Sequence, residues 1–261
     1  MKRIILILSA AAMTLNASAA MIKGSVKDTE GRPVAGVVVT DGLNTVKTDA
    51  KGRFRMDADD DSRFVYISTP SGYVSATLEG KTLFYKEISE DIRKYDFIVR
   101  KNEKDDTSHN LIVIADPQIS ERSELPELQK HADDITAFVG QYDKDYTFGL
   151  CLGDIVGWDH SIYPEYNRIM NGSGFEYRYV IGNHDMTNYG RSFETSMKNY
   201  EDMYGPCWYS FNVGNVHYIV LNNNFYVGRD YFYIGYIDER QLRWLENDLS
   251  YVPEGSRVIV S

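Results

Sequence analysis

The chain has 261 residues, of which 43% are hydrophobic and 25% are charged, and this balance excludes a wholly disordered or collagen-like protein. Its 38 acidic residues outnumber its 28 basic residues, which gives a net charge of −10 at neutral pH. A general nucleic-acid-binding protein would instead need a basic face. Two cysteines are too few for a disulfide-dense scaffold. The length predicts one or two domains of about 100–150 residues each.

The first 19 residues have the pattern of a cleaved secretory signal. Lys2 and Arg3 precede a short apolar run, and the small residues Ala17, Ser18 and Ala19 follow it; this order is typical of a signal with its cleavage site. The run is shorter than the ~20 residues that a membrane-spanning helix needs. We predict an exported protein, periplasmic or secreted, cleaved near Ala19 and without a membrane span. A buried N-terminal helix is the alternative.

Export would permit a disulfide between the two cysteines, Cys151 and Cys207. Two buried thiols are the alternative, and we favour it because a buried cysteine behaves as a small hydrophobic residue.

Residues 20–100 predict a small all-β sandwich, because short apolar segments alternate there with turn signals. Strands are expected at residues 22–26, 34–39, 54–56, 64–68 and 95–99. The segment contains no His or Cys, and we assign no catalytic role to it. Residues 101–109 are polar and predict a solvated linker between two domains.

Residues 110–261 predict an α/β domain, in which helices flank a mainly parallel sheet. Strands are expected at residues 111–115, 146–152, 177–181 and 257–260, with a hairpin at 208–213 and 216–221. Helices are expected at residues 125–141 and 163–170, and a third is expected to begin at Asp238 with Leu242, Leu245 and Leu249 on one face.

Polar residues follow three of these strands at the point where each strand ends, at residues 116–118, 153–154 and 183–185. In open α/β sheets, ligands bind outside the carboxyl ends of the strands. Carboxylate and amide oxygens gathered there would repel one another or lack partners, and a divalent cation would satisfy them. Oxygen ligands suit Mg, Mn or Fe as well as Zn. The sequence therefore predicts a metal site at this edge of the sheet.

These motifs, Asp-Pro-Gln, Gly-Asp and Gly-Asn-His-Asp, resemble those of the calcineurin-like metallophosphoesterases. The resemblance covers residues 110–261 and implies an α+β sandwich-type domain. The segment 24–56 is similar to the transthyretin-like, carboxypeptidase-regulatory-like β-sandwich of exported bacterial enzymes, which implies an accessory domain and no reaction.

The resemblance to the metallophosphoesterases implies two divalent metal ions, Mn, Fe, Zn or Mg. Asp116 and Gln118 would bind the first ion, Asp154 would bridge both, and Asn183 would bind the second. Two such ions clamp phosphate oxygens and acidify a water molecule.

The same resemblance assigns catalytic roles to His184 and Asp185. His184 would donate a proton to the leaving oxygen or stabilise the transferring phosphoryl group, and Asp185 would orient its imidazole. We therefore expect an exported phosphoesterase that hydrolyses phosphate mono- or diesters, with a small phosphate ester or a phosphoprotein as its substrate.

Two departures from the family pattern matter. Gln118 stands where many members have His, and the histidine motifs that the family carries further along do not occur before Ser261. We expect the phosphoesterase domain to be incomplete at its C-terminal end. The alternative function is a non-catalytic binding or structural protein with an incomplete metal site.

Two other features have open interpretations. The aromatic-rich loop at residues 225–236 could wall a substrate pocket, although ordinary packing over the sheet is favoured. His217 lies within an apolar strand pattern and is expected to be a packed core histidine rather than a ligand.

Overall fold

A computed structural model describes residues 21–78, 81–92, 94–142 and 144–261. The expected signal segment, residues 1–19, lies outside the described residues. No helix within the described ranges is long and apolar enough to cross a membrane.

The described residues of the N-terminal part form strands and no helix. The strands are β1 (Met21–Asp28), β2 (Val38–Thr40), β3 (Thr45–Lys47), β4 (Arg53–Asp57), β5 (Phe64–Ile67), β6 (Tyr73–Ser75), β7 (Thr77–Leu78), β8 (Lys81–Thr82), β9 (Tyr85–Glu87) and β10 (Phe97–Lys101). Two four-stranded sheets, in the orders β4-β1-β10-β6 and β3-β2-β5-β9, hold most of these strands. In β4 the side chains alternate between buried and exposed, as expected for a strand with one face on a core.

Two predicted strands in this part begin later than expected, and one of them, expected at residues 95–99, begins at Phe97. The expected strand at residues 34–39 begins only at Val38. Gly36 has a φ of 75°, which lies outside the β region and turns the chain before the strand can begin.

The predicted linker at residues 101–109 runs directly from one strand into the next. β10 extends to Lys101, and the next strand already begins at His109. Between them, Asp106 is buried and its Oδ2 accepts a 2.7 Å hydrogen bond from the backbone N–H of Gly72. This segment is therefore hydrogen-bonded to the N-terminal part through Asp106.

The second part of the structure contains five α-helices and eight strands within the described residues. In chain order these are β11 (His109–Ile114), α1 (Leu125–Val139), β12 (Tyr146–Cys151), α2 (Tyr163–Asn171), β13 (Tyr177–Tyr179), α3 (Phe193–Ser196), α4 (Lys198–Tyr204), β14 (Tyr209–Val213), β15 (Val216–Val220), β16 (Asn224–Gly228), β17 (Phe232–Gly235), α5 (Glu239–Leu249) and β18 (Arg257–Val260).

These strands form two three-stranded sheets and a hairpin. The order β11-β12-β13 is fully parallel. In the order β14-β15-β18, the first pair is antiparallel and the second is parallel. β16 and β17 pair as a separate antiparallel hairpin. Strands alternate with helices from β11 to β13, whereas β14 to β17 follow one another without a helix. Every strand and helix expected between residues 110 and 261 has a counterpart, but the strands form two sheets and a hairpin instead of the mainly parallel sheet that the sequence predicts.

Helix α5 presents a different face to the core from the one that its leucines predict. Asp238 caps the helix by accepting hydrogen bonds from the N–H groups of Arg240 and Gln241. The buried residues are Gln241, Trp244 and Asp248, whereas Leu242 and Leu249 are exposed. Two polar side chains can be buried here because each has hydrogen-bond partners inside the protein.

The two parts of the chain share one apolar core. Residues of both, among them Val26, Phe54, Phe148 and Phe211, belong to a single buried cluster. The guanidinium of the buried Arg178 lies 4.9 Å from the ring centres of both Phe84 and Phe211. The N-terminal part is therefore packed against the rest.

Both cysteines, Cys151 and Cys207, are buried free thiols, as favoured from the sequence. Burial raises the pKa of Cys151 to about 12 and holds that of Cys207 well above its usual value.

Candidate metal centre

The carboxyl ends of five strands meet around one cavity of about 460 Å³. Asp116 follows β11, Asp154 follows β12, and Asn183 follows β13, and all three line the cavity. Asn223, which follows β15, and Ser261, which follows β18, complete the rim on the other sheet. Parallel strands bring their carboxyl ends to the same edge, which is why residues far apart in the sequence gather here.

The backbone at these strand ends is strained. Among the described residues, four that are not glycine have a positive φ, and three of them are Asp116 at 48°, Gln118 at 41° and Asp154 at 49°. The left-handed region costs an L-residue roughly 1–2 kcal/mol. Strain of this kind persists only where surrounding structure holds it, and it is concentrated at functional sites. The same three residues were predicted from the sequence as metal ligands.

The carboxylate of Asp154 connects the three strand ends. Its Oδ2 accepts a 2.7 Å hydrogen bond from Gln118 Nε2, and its Oδ1 accepts a 2.9 Å bond from the backbone N–H of His184. The backbone N–H of Gln118 in turn donates to the carbonyl oxygen of Asp154 at 2.8 Å. Because Asp154 is also buried, these hydrogen bonds hold its carboxylate in place.

Two glycines allow this close packing. A Cβ on Gly182 would lie 2.0 Å from Asp154 Oδ1 and 2.1 Å from the backbone nitrogen of Asp154. A Cβ on Gly153 would lie 2.8 Å from the Cα of Gly182, and Gly153 also has a φ of 90°. The Gly in each motif is therefore needed for the approach of β12 and β13 at the site.

Asp185 has other partners than the imidazole that it was expected to orient. Its carboxylate is fully buried and accepts hydrogen bonds from the backbone N–H groups of Gly182 and Ile155, and from the hydroxyl of Tyr163, at 2.8–3.1 Å. Burial raises the pKa of Asp185 to about 7, against the lowering effect of these hydrogen bonds. Asp185 therefore fixes the loop that carries His184, and its effect on the ring is indirect.

His184 does not line the cavity, and its imidazole packs against an aromatic ring. Its ring centre is 4.5 Å from the centre of Trp158, with 37° between the planes. Its Nδ1 is buried and has no hydrogen-bond partner among the described residues. The backbone carbonyl of His184 accepts a 2.9 Å hydrogen bond from His160 Nε2, and His160 Nδ1 accepts a 2.7 Å bond from Asn199 Nδ2. His160, which follows the Gly-Asp motif closely, thus supports the His184 loop.

Sequence reasoning missed two features of this region. Asn222, Asn223 and Asn224 follow the apolar strand β15, and Asn223 reaches the cavity while Asn224 Nδ2 donates to the carbonyl oxygen of Ile181 at 3.0 Å. A polar triplet after an apolar strand is the same signal that revealed the other three strand ends. Trp158 was also missed, because a single aromatic residue in a loop carries no pattern.

The expected packing role of His217 is confirmed. It is buried, and its Nδ1 and Nε2 lie 2.9 Å from Asn212 Oδ1 and 2.7 Å from Asp248 Oδ2. Both nitrogens therefore have partners in the core, away from the cavity.

The donor chemistry at the cavity fits hard divalent cations. Asp116, Asp154 and Asn183 supply oxygen donors at the cavity, whereas Gln118 does not line it and is held beside Asp154 by its hydrogen bond. The described residues contain no group of three or more His, Cys, Asp or Glu side chains placed to hold a metal ion. The residues present therefore fit part of a coordination shell.

A family model matches the N-terminal part of the chain. No curated protein matches the chain. Residues 20–102, about a third of the sequence and all before the cavity, match the family model described as the N-terminal domain of calcineurin-like phosphoesterases.

Proposed function

We propose that the protein is an exported, metal-dependent phosphoesterase that hydrolyses phosphate mono- or diesters. The observation that carries the proposal is the gathering of Asp116, Asp154 and Asn183 around one cavity, with a strained backbone at the two aspartates. The match of residues 20–102 adds support, since the N-terminal domain in question belongs to a phosphoesterase family.

Four side chains would hold the metal ions: Asp116, Gln118, Asp154 and Asn183. Calcineurin-like phosphoesterases generally use divalent metals, and Mn, Fe, Zn or Mg all suit oxygen donors of this kind. Bound cations would neutralise phosphate oxygens and lower the pKa of a water molecule. An acidic chain needs such positive charge to hold an anionic substrate.

The proposed reaction breaks the ester P–O bond and forms a new P–O bond to a water oxygen. The leaving oxygen then needs a proton, and His184 is the candidate donor because imidazole exchanges protons near neutral pH. His184→Ala should lower turnover about 10²–10⁴-fold if this assignment is right. Unchanged turnover in that variant would remove His184 from the mechanism.

The direct test combines a ligand substitution with metal dependence. Asp154→Asn should abolish hydrolysis of a simple aryl phosphate, and a chelator should abolish it in the wild type until Mn is restored. Asp133→Asn, an equivalent change on the exposed face of α1, is the matched control and should leave activity unchanged. Wild-type activity in Asp154→Asn would refute the site assignment.

A second candidate function is a non-catalytic binding or structural protein. It is favoured by the lack, among the described residues, of three His, Cys, Asp or Glu side chains around one point. Calorimetry with Mn or Zn distinguishes the two functions. Tight binding of two ions would contradict this candidate, and no binding would contradict the phosphoesterase.

Export remains part of the proposal and depends on residues 1–19 alone. Expression in a bacterial host followed by N-terminal sequencing of the exported protein tests it. We expect the mature chain to begin close to Ala20. Retention of the uncleaved chain in the cytoplasm would contradict it.

A further inference from the structure

We propose that Trp158 and Phe232 form a platform that binds a flat aromatic group carried by the leaving alcohol of the substrate. The inference rests on the proposed function and concerns the substrate class of the same site. It starts from the aromatic ring that packs against the imidazole of His184.

Trp158 is unusually exposed for a tryptophan. Tryptophan side chains are highly buried on average, yet 43% of Trp158 is exposed. The ring packs against the imidazole of His184 at a centre-to-centre distance of 4.5 Å. Part of its surface is therefore used to hold His184, and the remainder is available to a ligand.

Phe232 joins Trp158 from a distant segment of the chain. It lies at the start of β17, and its ring centre is 5.7 Å from that of Trp158. The buried ring of Tyr226 packs edge-on against Phe232, with 6.0 Å between the ring centres. Phe232 has a φ of 62°, a conformation that is uncommon for a bulky residue and marks a strained position. The hairpin thus holds this ring beside Trp158 at an energetic cost.

The platform adjoins the reacting centre through His184. The backbone N–H of His184 donates to Asp154 Oδ1, and its ring packs on Trp158. If His184 protonates the leaving oxygen, the carbon atoms attached to that oxygen lie next to the imidazole and therefore near Trp158. The phosphate would face the carboxylates, and the leaving alcohol would face the aromatic rings.

Stacking on an open aromatic face selects for flat, π-bearing groups. An aromatic ring prefers offset or edge-to-face contact with another ring, and the planes of Trp158 and Phe232 are inclined by 59°, so that a flat group can stack on one ring and meet the other. Stacking of a nucleic-acid base on an aromatic side chain changes affinity by roughly 5- to 150-fold. We therefore infer esters of phenols or of nucleosides rather than of small aliphatic alcohols.

Binding of two phosphonates tests the inference without relying on turnover. Phenylphosphonate and cyclohexylphosphonate both carry a six-carbon ring on a phosphonate whose P–C bond is not hydrolysed, and they differ in aromaticity. Calorimetric titration of the full chain with Mn present should show tighter binding of phenylphosphonate. Trp158→Leu should weaken that binding at least about 5-fold and leave cyclohexylphosphonate unchanged, whereas Trp158→Phe should retain most of the preference.

Tyr142→Leu is the matched control, because Tyr142 is an exposed aromatic residue that precedes β12, at the opposite end of that strand from Asp154. It should bind both phosphonates as the wild type does. Equal affinity of the wild type for the two compounds, or an undiminished preference in Trp158→Leu, would overturn the platform. If inorganic phosphate binds under the same conditions, the proposed function survives that result. If neither phosphate nor any phosphonate binds, both proposals fail.

Discussion

Gly182→Ala should damage the site through a single added methyl group. The new Cβ would lie 2.0 Å from Asp154 Oδ1, 2.1 Å from the backbone nitrogen of Asp154 and 2.8 Å from its Cγ. Ordinary van der Waals contact begins at about 3.4 Å, so one strand end must move by more than 1 Å. One of these atoms, the Asp154 nitrogen, belongs to the backbone, so rotation of the Asp154 side chain alone cannot relieve the contact.

The magnitude follows from that displacement. Overpacking of a well-packed region costs about 1–3 kcal/mol, which for a chain of this size corresponds to a fall in Tm of roughly 2–12 °C. A misplacement of about 1 Å in a catalytic group can lower the rate about 10²-fold. We therefore expect a folded variant with a modest loss of stability and a much larger loss of Mn binding and of phosphate-ester hydrolysis.

Thermal unfolding, Mn calorimetry and hydrolysis of an aryl phosphate measure these three effects. Gly140→Ala is the matched control: Gly140 ends α1 with an ordinary helical φ of −57° and has nothing within 4 Å of its Cβ position. It should be neutral or slightly stabilising. A Gly182→Ala protein that binds Mn and turns over like the wild type would refute the argument that the close approach of β12 and β13 builds the site.

Three further predictions concern the support of the fold. Asp185→Asn should lower the free energy of unfolding by about 1–3 kcal/mol, because its amide group would face backbone N–H donors; urea denaturation measures this, and an unchanged midpoint would contradict it. Asp248→Asn should cost about 1–3 kcal/mol in the same assay, because it replaces a buried carboxylate that accepts a hydrogen bond from Ser210 Oγ and lies 2.7 Å from His217 Nε2, and an unchanged midpoint would contradict it. Because the pKa of Cys151 is raised to about 12 and that of Cys207 is also raised, the thiolate fraction is very small at pH 8; neither thiol should react with a disulfide reagent until denaturant is added, and fast labelling of the native protein would contradict their burial.

Much of the candidate site could be predicted from the sequence because its signal is local. β12 is buried along its whole length, so it appears in the sequence as a continuous apolar run. The polar residues that end such a run, Asp154 after β12 and Asp116 after β11, are then conspicuous. Parallel pairing of the strands brings them to one edge without any long-range information beyond the order of the elements.

The features that were not predicted depend on pairing between distant residues. In α5 the leucine spacing favoured one face, but the buried face carries Gln241 and Asp248. Gln241 Oε1 accepts from the backbone N–H of Asn222 at 2.8 Å, and Asp248 lies 2.7 Å from His217 Nε2. Hydrophobic periodicity treats such polar residues as exposed. Only their partners on β15 and beyond it explain why they are buried.

The contacts of Asp185 differ from its predicted role for a similar reason. A carboxylate next to His184 in the sequence was expected to contact the imidazole, but its partners are the N–H of Ile155 and the hydroxyl of Tyr163. These residues come from the loop after β12 and from α2. Adjacent residues in a loop can point in opposite directions, and the sequence gives no measure of that direction.

The N-terminal part of the chain bears on the site through the strands on which it packs. Arg178 in β13 lies between Phe84 of the N-terminal part and Phe211 of β14. The indole Nε1 of Trp208, just before β14, donates to the carbonyl oxygen of Gly42 at 3.0 Å. β13 is the strand that precedes Asn183 in the chain, and β14 pairs with β15, which precedes Asn223. Residues that carry no catalytic group therefore help to hold two of the strand ends at the cavity, which is consistent with an N-terminal domain that acts by packing.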